Sequence, residues 1–273
     1  MTSPATLGEH VAGMAFDGIA ERYDDIFTRS LIGRAQRQAV WAMIRRTFQP
    51  GDYVLEVNCG TGEDALFLAS HGVAVLACDA SEKMIDVARR RLLAESPPSP
   101  VQFTVLAIER VGELSRARLF DGVLSNFAGL NCVRDLAQTA SDFAALVKPG
   151  GALLLCVSTR VCLWETLWFL SQAKHKEAFR RWPGRAHAAL GERVVEVHYP
   201  TIRQLRTAFA PWFRLCSTIG IGVTVPPSYM EAFVRRHPRL FRGMCNVDRL
   251  ICSWPLLRVL GDHVLLRLER TRA

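Results

Sequence analysis

The sequence has no run of about 18 uncharged apolar residues, the length that a membrane-spanning helix needs. Its most apolar stretch, VCLWETLWFL, is interrupted by Glu165. The opening MTSPATLGEH also lacks a basic region followed by an apolar run, so no secretory leader is expected. These absences predict a cytoplasmic protein without a spanning segment.

The eight cysteines include no C-x-x-C pair, and several lie inside apolar runs such as LLLCV and VLACD. A thiol in such a run serves as a small apolar side chain. We therefore expect buried, unpaired cysteines, with neither a disulfide framework nor a metal site.

Lysine is scarce, since only four of the 34 cationic side chains are lysines. The charges are also unevenly placed: residues 161–273 hold 18 Lys and Arg against 8 Asp and Glu, and residues 1–160 hold 16 against 18. Arginine favours carboxylates, phosphates and aromatic faces. The C-terminal part is therefore either a solvated basic face or a surface for an anionic substrate or membrane. Nucleic acid is disfavoured as a partner, because no lysine-rich run or RNA-binding signature accompanies the charge.

The middle of the sequence alternates apolar, strand-like runs with helical segments. Strands are predicted at 53–58, 73–79, 101–107, 120–127 and 152–158, and helices at 63–71, 81–95 and 135–147. Buried strands separated by helices are typical of a parallel sheet that is covered on both faces.

Beyond residue 160 the alternation is less regular. We predict an amphipathic helix over 162–182, an extra strand over 193–199, a helix over 201–210, a sixth strand over 213–225, helices at 228–236 and 239–256, and a last strand over 263–270. The predicted fold class is α/β, a Rossmann-like, doubly wound, seven-stranded sheet with an antiparallel last strand and helical lid insertions.

The stretch VLEVNCGTGEDA, residues 54–65, is an apolar run that reaches Glu56 and then turns at Gly60 and Gly62. A glycine turn between a buried strand and a helix is a cradle for a cofactor. A dinucleotide is one candidate, with Asp79 in the ribose-binding position nineteen residues after Gly60. S-adenosylmethionine is the other.

Three features favour S-adenosylmethionine. Glu56 would repel a pyrophosphate but suits a ligand that carries an ammonium and a sulfonium. About fifty residues precede the first strand, including FDGIAERYDDIF, an amphipathic helix able to cover a site. The segments FDGVLSNF and LVKPGGALLL are not part of a dinucleotide fingerprint.

Four segments, LEVNCGTGEDA, LACDASEKMIDVA, FDGVLSNFAGLN and LVKPGGALLL, together resemble the ordered motifs of the class I S-adenosylmethionine-dependent methyltransferases. FDGIAERYDDIF is similar to the N-terminal helix of the small-molecule and quinone members. The resemblance implies S-adenosylmethionine as cofactor and Asp79 as acceptor from both ribose hydroxyls. The implied cofactor-binding residues are Tyr23, Glu56, Asn58, Gly60, Gly62, Asp79, Ala80, Met84, Ile108, Asn126 and Phe127.

Two positions depart from the family's pattern. Asn58 stands where glycine is usual, and asparagine tolerates left-handed backbone better than most residues. Its amide is a candidate for contact with the methionine end of the cofactor. Ala107 stands where an aspartate usually meets the adenine, so the backbone of Ala107 and Ile108 is left to bracket the ring, with Glu109 as a candidate replacement.

The resemblance implies one domain over 1–273, with a helical cover at 1–50, a cofactor-binding core at 51–160, acceptor lid insertions with the sixth strand at 161–262, and the last strand at 263–273. The implied reaction is methyl transfer to a small apolar or amphiphilic molecule. Three side chains in or beside the lid are weak candidates for a base, since no motif identifies a catalytic residue: His187, His198 and Tyr199.

The lid combines Trp, Phe and Arg in LWETLWFL, FRRWPGR and AFVRRHPRLFR. This mixture suits an amphiphilic acceptor taken from an anionic membrane surface, and equally an ordinary lid core with arginines that reach the solvent. PPSY (226–229) is a rigid turn rather than a DNA-methylating segment, because it does not follow the fourth strand. A catalytically silent, partner-binding subunit, thiol chemistry such as arsenite methylation, and a nicotinamide-dependent oxidoreductase remain as alternatives.

Overall fold

The computed structural model describes residues 15–190 and 193–272. Parts of three predicted segments lie outside these residues: 1–14 of the cover, 191–192 of the lid and residue 273 of the last strand. The described strands are β1 (Tyr53–Val57), β2 (Ala74–Asp79), β3 (Val101–Val105), β4 (Phe120–Ser125), β5 (Val147–Ser158), β6 (Arg185–Leu190), β7 (Arg193–His198), β8 (Phe213–Ile221) and β9 (His263–Arg270).

Seven strands form one sheet in the order β3-β2-β1-β4-β5-β9-β8. The pairs among β1 to β5 are parallel, whereas β9 is antiparallel to both β5 and β8. The predicted α/β fold with an antiparallel last strand is therefore confirmed. β6 and β7 form a separate antiparallel hairpin.

Helices cover both faces of this sheet. They are α1 (Ala20–Tyr23), which continues as a π-helical turn at Asp24–Thr28, α2 (Leu31–Thr47), α3 (Glu63–Ser70), α4 (Glu82–Glu95), α5 (Leu136–Leu146), α6 (Leu163–Ser171), α7 (His175–Ala178), α8 (Ile202–Phe209), α9 (Glu231–Arg236) and α10 (Pro238–Ile251). Within the described ranges, none of the helices is long and apolar enough to cross a membrane.

Two apolar clusters lie against the sheet and hold the layers together. One is built around Phe120, Phe143 and Phe209, and the other contains Ile44 and Ile85. Each of these side chains is no more than 2% exposed. Burial of one such side chain contributes roughly 1.5–3 kcal/mol, so the two clusters are the main source of stability.

The long helix predicted over 162–182 is wrong. α6 ends at Ser171, because Ala173 adopts a left-handed φ of 56°. Arg180 and Arg181 then turn inward, and both donate to the buried carboxylate of Glu165 at 2.7–2.9 Å. β6 and β7 form the hairpin that follows, and only β7 was predicted from the sequence.

Several other predicted elements are shorter in the structure, and left-handed backbone accounts for the ends of two of them. β4 ends at Ser125 because Phe127 and Ala128 have positive φ angles of 46° and 68°. β8 ends at Ile221, where Gly222 turns the chain with φ of 70°. α10 ends at Ile251 rather than at 256.

The junction between the N-terminal cover and α2 requires a glycine. Ser30 caps α2, accepting the Gly33 N–H and donating to the Phe27 carbonyl, at 2.9 and 2.8 Å. A Cβ atom on Gly33 would lie 2.0 Å from that carbonyl oxygen. The Phe27 backbone therefore packs so closely on α2 that only glycine fits at position 33.

We expect Gly33→Ala to destabilise the protein by about 1–3 kcal/mol, because the added methyl group overlaps rigid backbone. The matched control is Gly243→Ala in α10, where a Cβ atom meets nothing within 4 Å. That change should stabilise by about 0.5–1 kcal/mol through helix propensity. Urea unfolding of both variants measures the difference, and equal midpoints would contradict the tight junction.

Candidate active site

The turn between β1 and α3 adopts left-handed backbone at three positions that shape it. Asn58, Gly60 and Gly62 have φ angles of 55°, 54° and 79°. The expectation that Asn58 tolerates left-handed backbone is thus confirmed. A Cβ atom on Gly62 would lie 2.7 Å from Phe103, whereas Gly60 has open space around it. Gly62 serves close packing, and Gly60 leaves room for a ligand.

Asp79, the last residue of β2, holds this turn. Its carboxylate accepts the Gly60 N–H and the Ser81 N–H, each at 2.9 Å. Burial raises the pKa of Asp79, and these two amides oppose the increase in part. Each oxygen of the Asp79 carboxylate accepts one of these amides and keeps a further lone pair, so the carboxylate can still accept two hydroxyl donors.

A cavity of about 240 Å³ lies between this turn, the end of β4 and the cover. Eight of the eleven predicted cofactor-binding residues line it: Tyr23, Asn58, Gly60, Asp79, Ala80, Met84, Asn126 and Phe127. Burial raises the pKa of Tyr23, so its hydroxyl is a neutral donor at physiological pH. The cavity also has an apolar wall of Phe16 and, from the hairpin, Ala188 and Val197.

Three of the predicted residues do not line the cavity. Gly62 packs beneath the turn, and Ile108 belongs to a core cluster. Glu56 is 1% exposed, and burial raises its pKa well above the usual range. Glu109 is exposed and lies near Cys132, one of the residues that line the cavity.

The amide of Asn58 supplies a test of whether a ligand fits here. Its Nδ2 atom is buried and has no hydrogen-bond partner within 15–190 and 193–272. A buried donor without an acceptor costs about 1–3 kcal/mol, so a ligand with an acceptor at this point is favoured. Gly129 leaves room for the side chain, since a Cβ atom there would lie 2.4 Å from the Asn58 Cβ.

A buried hydrogen-bond network around Asp64, which sequence reasoning missed, supports the wall of the cavity. The Asp64 carboxylate accepts from Arg37 at 2.5 Å, Trp41 at 2.6 Å and Asn126 at 2.7 Å. The Arg37 guanidinium lies 4.9 Å from the Phe127 ring centre. The only signal of this network in the sequence is Asp64 itself, an acid in the first turn of α3 that no motif explains.

The cover is fastened over the cavity by its acidic side chains. Asp24 accepts from Thr61 at 2.7 Å and pairs with Arg91. Asp17 accepts from the Ser81 hydroxyl at 2.5 Å. The cover is therefore held against the glycine turn and the start of α4.

None of the three candidate bases lines the cavity. His187 is exposed on β6, and His198 lies 3.7 Å from Glu196. Tyr199 is buried against the Arg181 guanidinium, and burial raises its pKa. The hairpin that carries His187 and His198 reaches the cavity through apolar side chains instead.

Comparisons with known proteins agree with this geometry. Residues 54–151 match the family model described as a methyltransferase domain. Demethylmenaquinone methyltransferase of Symbiobacterium thermophilum is 34% identical over 158 residues, 56% of this chain and 60% of that protein. Ubiquinone biosynthesis O-methyltransferase of Coxiella burnetii is 34% identical over 110 residues, 40% of this chain and 45% of that protein. The chain thus spans about 60% or less of the length of these two relatives.

A solved structure extends the likeness to the whole sheet. A putative S-adenosylmethionine-dependent methyltransferase from Listeria monocytogenes superposes with a TM-score of 0.60 at 18% identity, covering 85% of this chain and 96% of that one. At this identity the match shows the fold alone. S-adenosylmethionine is the cofactor that the matched domain and the shared fold imply, and the Asp79 carboxylate and the Asn58 amide are polar groups that a ligand in the cavity would meet. The chain thus resembles the class I S-adenosylmethionine-dependent methyltransferases in its fold and, over residues 54–151, in its sequence.

Proposed function

We propose that the protein transfers a methyl group from S-adenosylmethionine to a small apolar or amphiphilic acceptor of the quinone type. The observation that carries the proposal is the mixed lining of the cavity. Its polar groups include the Asp79 carboxylate and the Asn58 amide, and its apolar side chains include Phe16, Phe127 and Val197. The resemblance to two methyltransferases named for quinone pathways supports the acceptor class.

Methyl transfer asks little of the protein beyond positioning and exclusion of water. The bound cofactor would supply an electrophilic methyl on a positive sulfur, and the chain would hold the acceptor in line with it. The cover provides exclusion of water, because Asp17 and Asp24 fasten it to the glycine turn. The Phe127 ring is fixed by an edge contact with Phe27 at 4.8 Å, so it forms a rigid wall.

We also keep the cytoplasm as the location. All eight cysteines are unpaired, and unpaired cysteines are usual in proteins of a reducing compartment. Burial raises the pKa of the Cys156 and Cys162 thiols to about 12, which makes them inert. Thiol-dependent chemistry is disfavoured at these two positions.

Asp79→Ala should weaken binding of S-adenosylhomocysteine by about 10- to 100-fold, the cost of removing a charged acceptor from one or two hydroxyls. Calorimetric titration measures the effect. Asp86→Ala is the control, because Asp86 is an acid on the adjacent helix with a half-exposed side chain. Binding of NADH instead would support an oxidoreductase. Binding of S-adenosylhomocysteine without any turnover would support a silent subunit.

Val197→Glu should lower the rate with an apolar acceptor by about tenfold or more, because it puts a charge on the apolar wall. Val194→Glu is the matched control on the same strand, since Val194 is 56% exposed. The assay follows a tritiated methyl group from the cofactor into a prenylated hydroxynaphthoquinone extracted into hexane. Equal rates for both variants, or a preference for a polar catechol, would contradict the acceptor class.

His187→Ala and His198→Ala should each leave kcat within about twofold of the unaltered protein, because neither ring lines the cavity. A general base would contribute roughly 10²–10⁴-fold. The rates are compared from pH 6 to pH 9 in the same extraction assay. A loss of a hundredfold in either variant would show that the hairpin moves and brings a histidine to the acceptor.

A further inference from the structure

The last helix of the lid and the turn after it expose several large apolar side chains. On α10 and the turn after it they are Leu240 (53% exposed), Val247 (45%), Leu250 (74%), Trp254 (57%) and Leu256 (81%). Isolated exposed apolar residues are ordinary, but a contiguous group marks a surface that binds something. These five residues are called the docking face below.

Helical geometry explains why the side chains form a stripe. Leu240, Val247 and Leu250 stand at positions i, i+7 and i+10, which a helix of 3.6 residues per turn brings to one side, and Trp254 follows three residues after the helix ends. The opposite side of α10 is fixed to the protein, because the Asp248 carboxylate accepts the Thr224 N–H at 2.7 Å. The stripe therefore points away from the core.

The charges beside the stripe are of one sign. Arg239, Arg242 and Arg249 are exposed on α10, and none forms an ion pair with another described residue. The two acids in this part of the lid are occupied. Glu231 accepts from the backbone at the start of α2 and pairs with Arg235, and Asp248 faces inward. The docking face is therefore apolar with an uncompensated basic edge.

We propose that the docking face binds the surface of an anionic phospholipid bilayer. A helix that lies in the interface places its apolar stripe among the acyl chains and its arginines at the phosphates, and this arrangement is present here. A second copy of the chain is a poorer occupant. The net charge is +8, and a symmetric pair would bring the basic edges of two copies together.

The docking face is connected to the acceptor side of the cavity. The Leu163 N–H, at the start of α6, donates to the Leu260 carbonyl at 3.0 Å, and Leu163 and Leu167 on this helix are exposed apolar residues as well. Three residues after Leu260, His263 packs edge-on against Phe127 with ring centres 5.5 Å apart. Membrane binding would hold the apolar wall near the source of a lipophilic acceptor, but the inference does not depend on methyl transfer.

Sedimentation with vesicles tests the proposal on the full chain. The probes are vesicles of phosphatidylcholine alone and of phosphatidylcholine with 30% phosphatidylglycerol. We expect binding to the anionic vesicles only. The double variant Leu250→Ser with Trp254→Ser should lower the partition coefficient at least tenfold. The triple variant Arg239→Gln, Arg242→Gln, Arg249→Gln should lower it about a hundredfold at low salt, or about fivefold for each arginine.

Matched controls separate the docking face from general surface properties. Leu93→Ser with Trp212→Ser removes two exposed apolar side chains, 81% and 43% exposed, outside the docking face. Arg116→Gln, Arg203→Gln, Arg206→Gln removes three exposed arginines on other elements. Both controls should bind anionic vesicles as the unaltered chain does, and circular dichroism verifies that all variants are folded.

Three results would overturn the proposal. The unaltered chain does not sediment with anionic vesicles; or Leu250→Ser with Trp254→Ser binds them as well as the control does; or the unaltered chain dimerises at micromolar concentration and only the docking-face variants are monomers. The last result would assign the face to a second copy. None of these outcomes depends on cofactor binding, so failure here is distinct from failure of the proposed function.

Discussion

The geometry of the cofactor cavity depends on one buried carboxylate, that of Asp64. A buried carboxylate is costly unless its oxygens receive hydrogen bonds, and here three donors from two other elements supply them. Arg37 and Trp41 come from α2, and Asn126 comes from the end of β4. Removing either partner of the Arg37–Asp64 ion pair would leave a buried charge without its partner. The pair therefore holds α2 and α3 at a fixed distance.

The same network determines where Phe127 lies, and through it the shape of the acceptor side. The Asn126 side chain donates to Asp64 and accepts the Phe127 N–H at 2.9 Å, which stabilises the left-handed backbone at Phe127. The ring then contacts the cover through Phe27 and the last strand through His263. Segments from the beginning, middle and end of the chain thus meet on one aromatic side chain, so the apolar wall forms only when the whole domain is folded.

Local patterns were sufficient to predict the sheet, the left-handed Asn58 and the position of Asp79 at the end of β2. Each of these depends on residues that are close in sequence: an apolar run, a turn and a helix start. The pair Arg37 and Asp64 could not be predicted, because no periodicity relates residues on two different helices. The helix predicted over 162–182 was wrong for the same reason. Its amphipathic pattern was real, but burial of Glu165 required the arginines that follow to fold back on it.

The arginine excess of the C-terminal part has two physical causes that composition alone cannot separate. Arg181 is 8% exposed and bridges the carboxylates of Glu165 and Asp262, so its charge is neutralised within the lid. A lysine would not serve there, because one ammonium cannot make parallel bonds to two carboxylates as a planar guanidinium does. The arginines of α10 have no such acids beside them, and their charge reaches the solvent. This second group, unlike Arg181, contributes to the field outside the protein. It lies on the insertion between β8 and β9, whereas the polar side of the cavity is built from residues before β5. The surface proposed to bind a membrane can therefore change without altering the residues proposed to hold the cofactor.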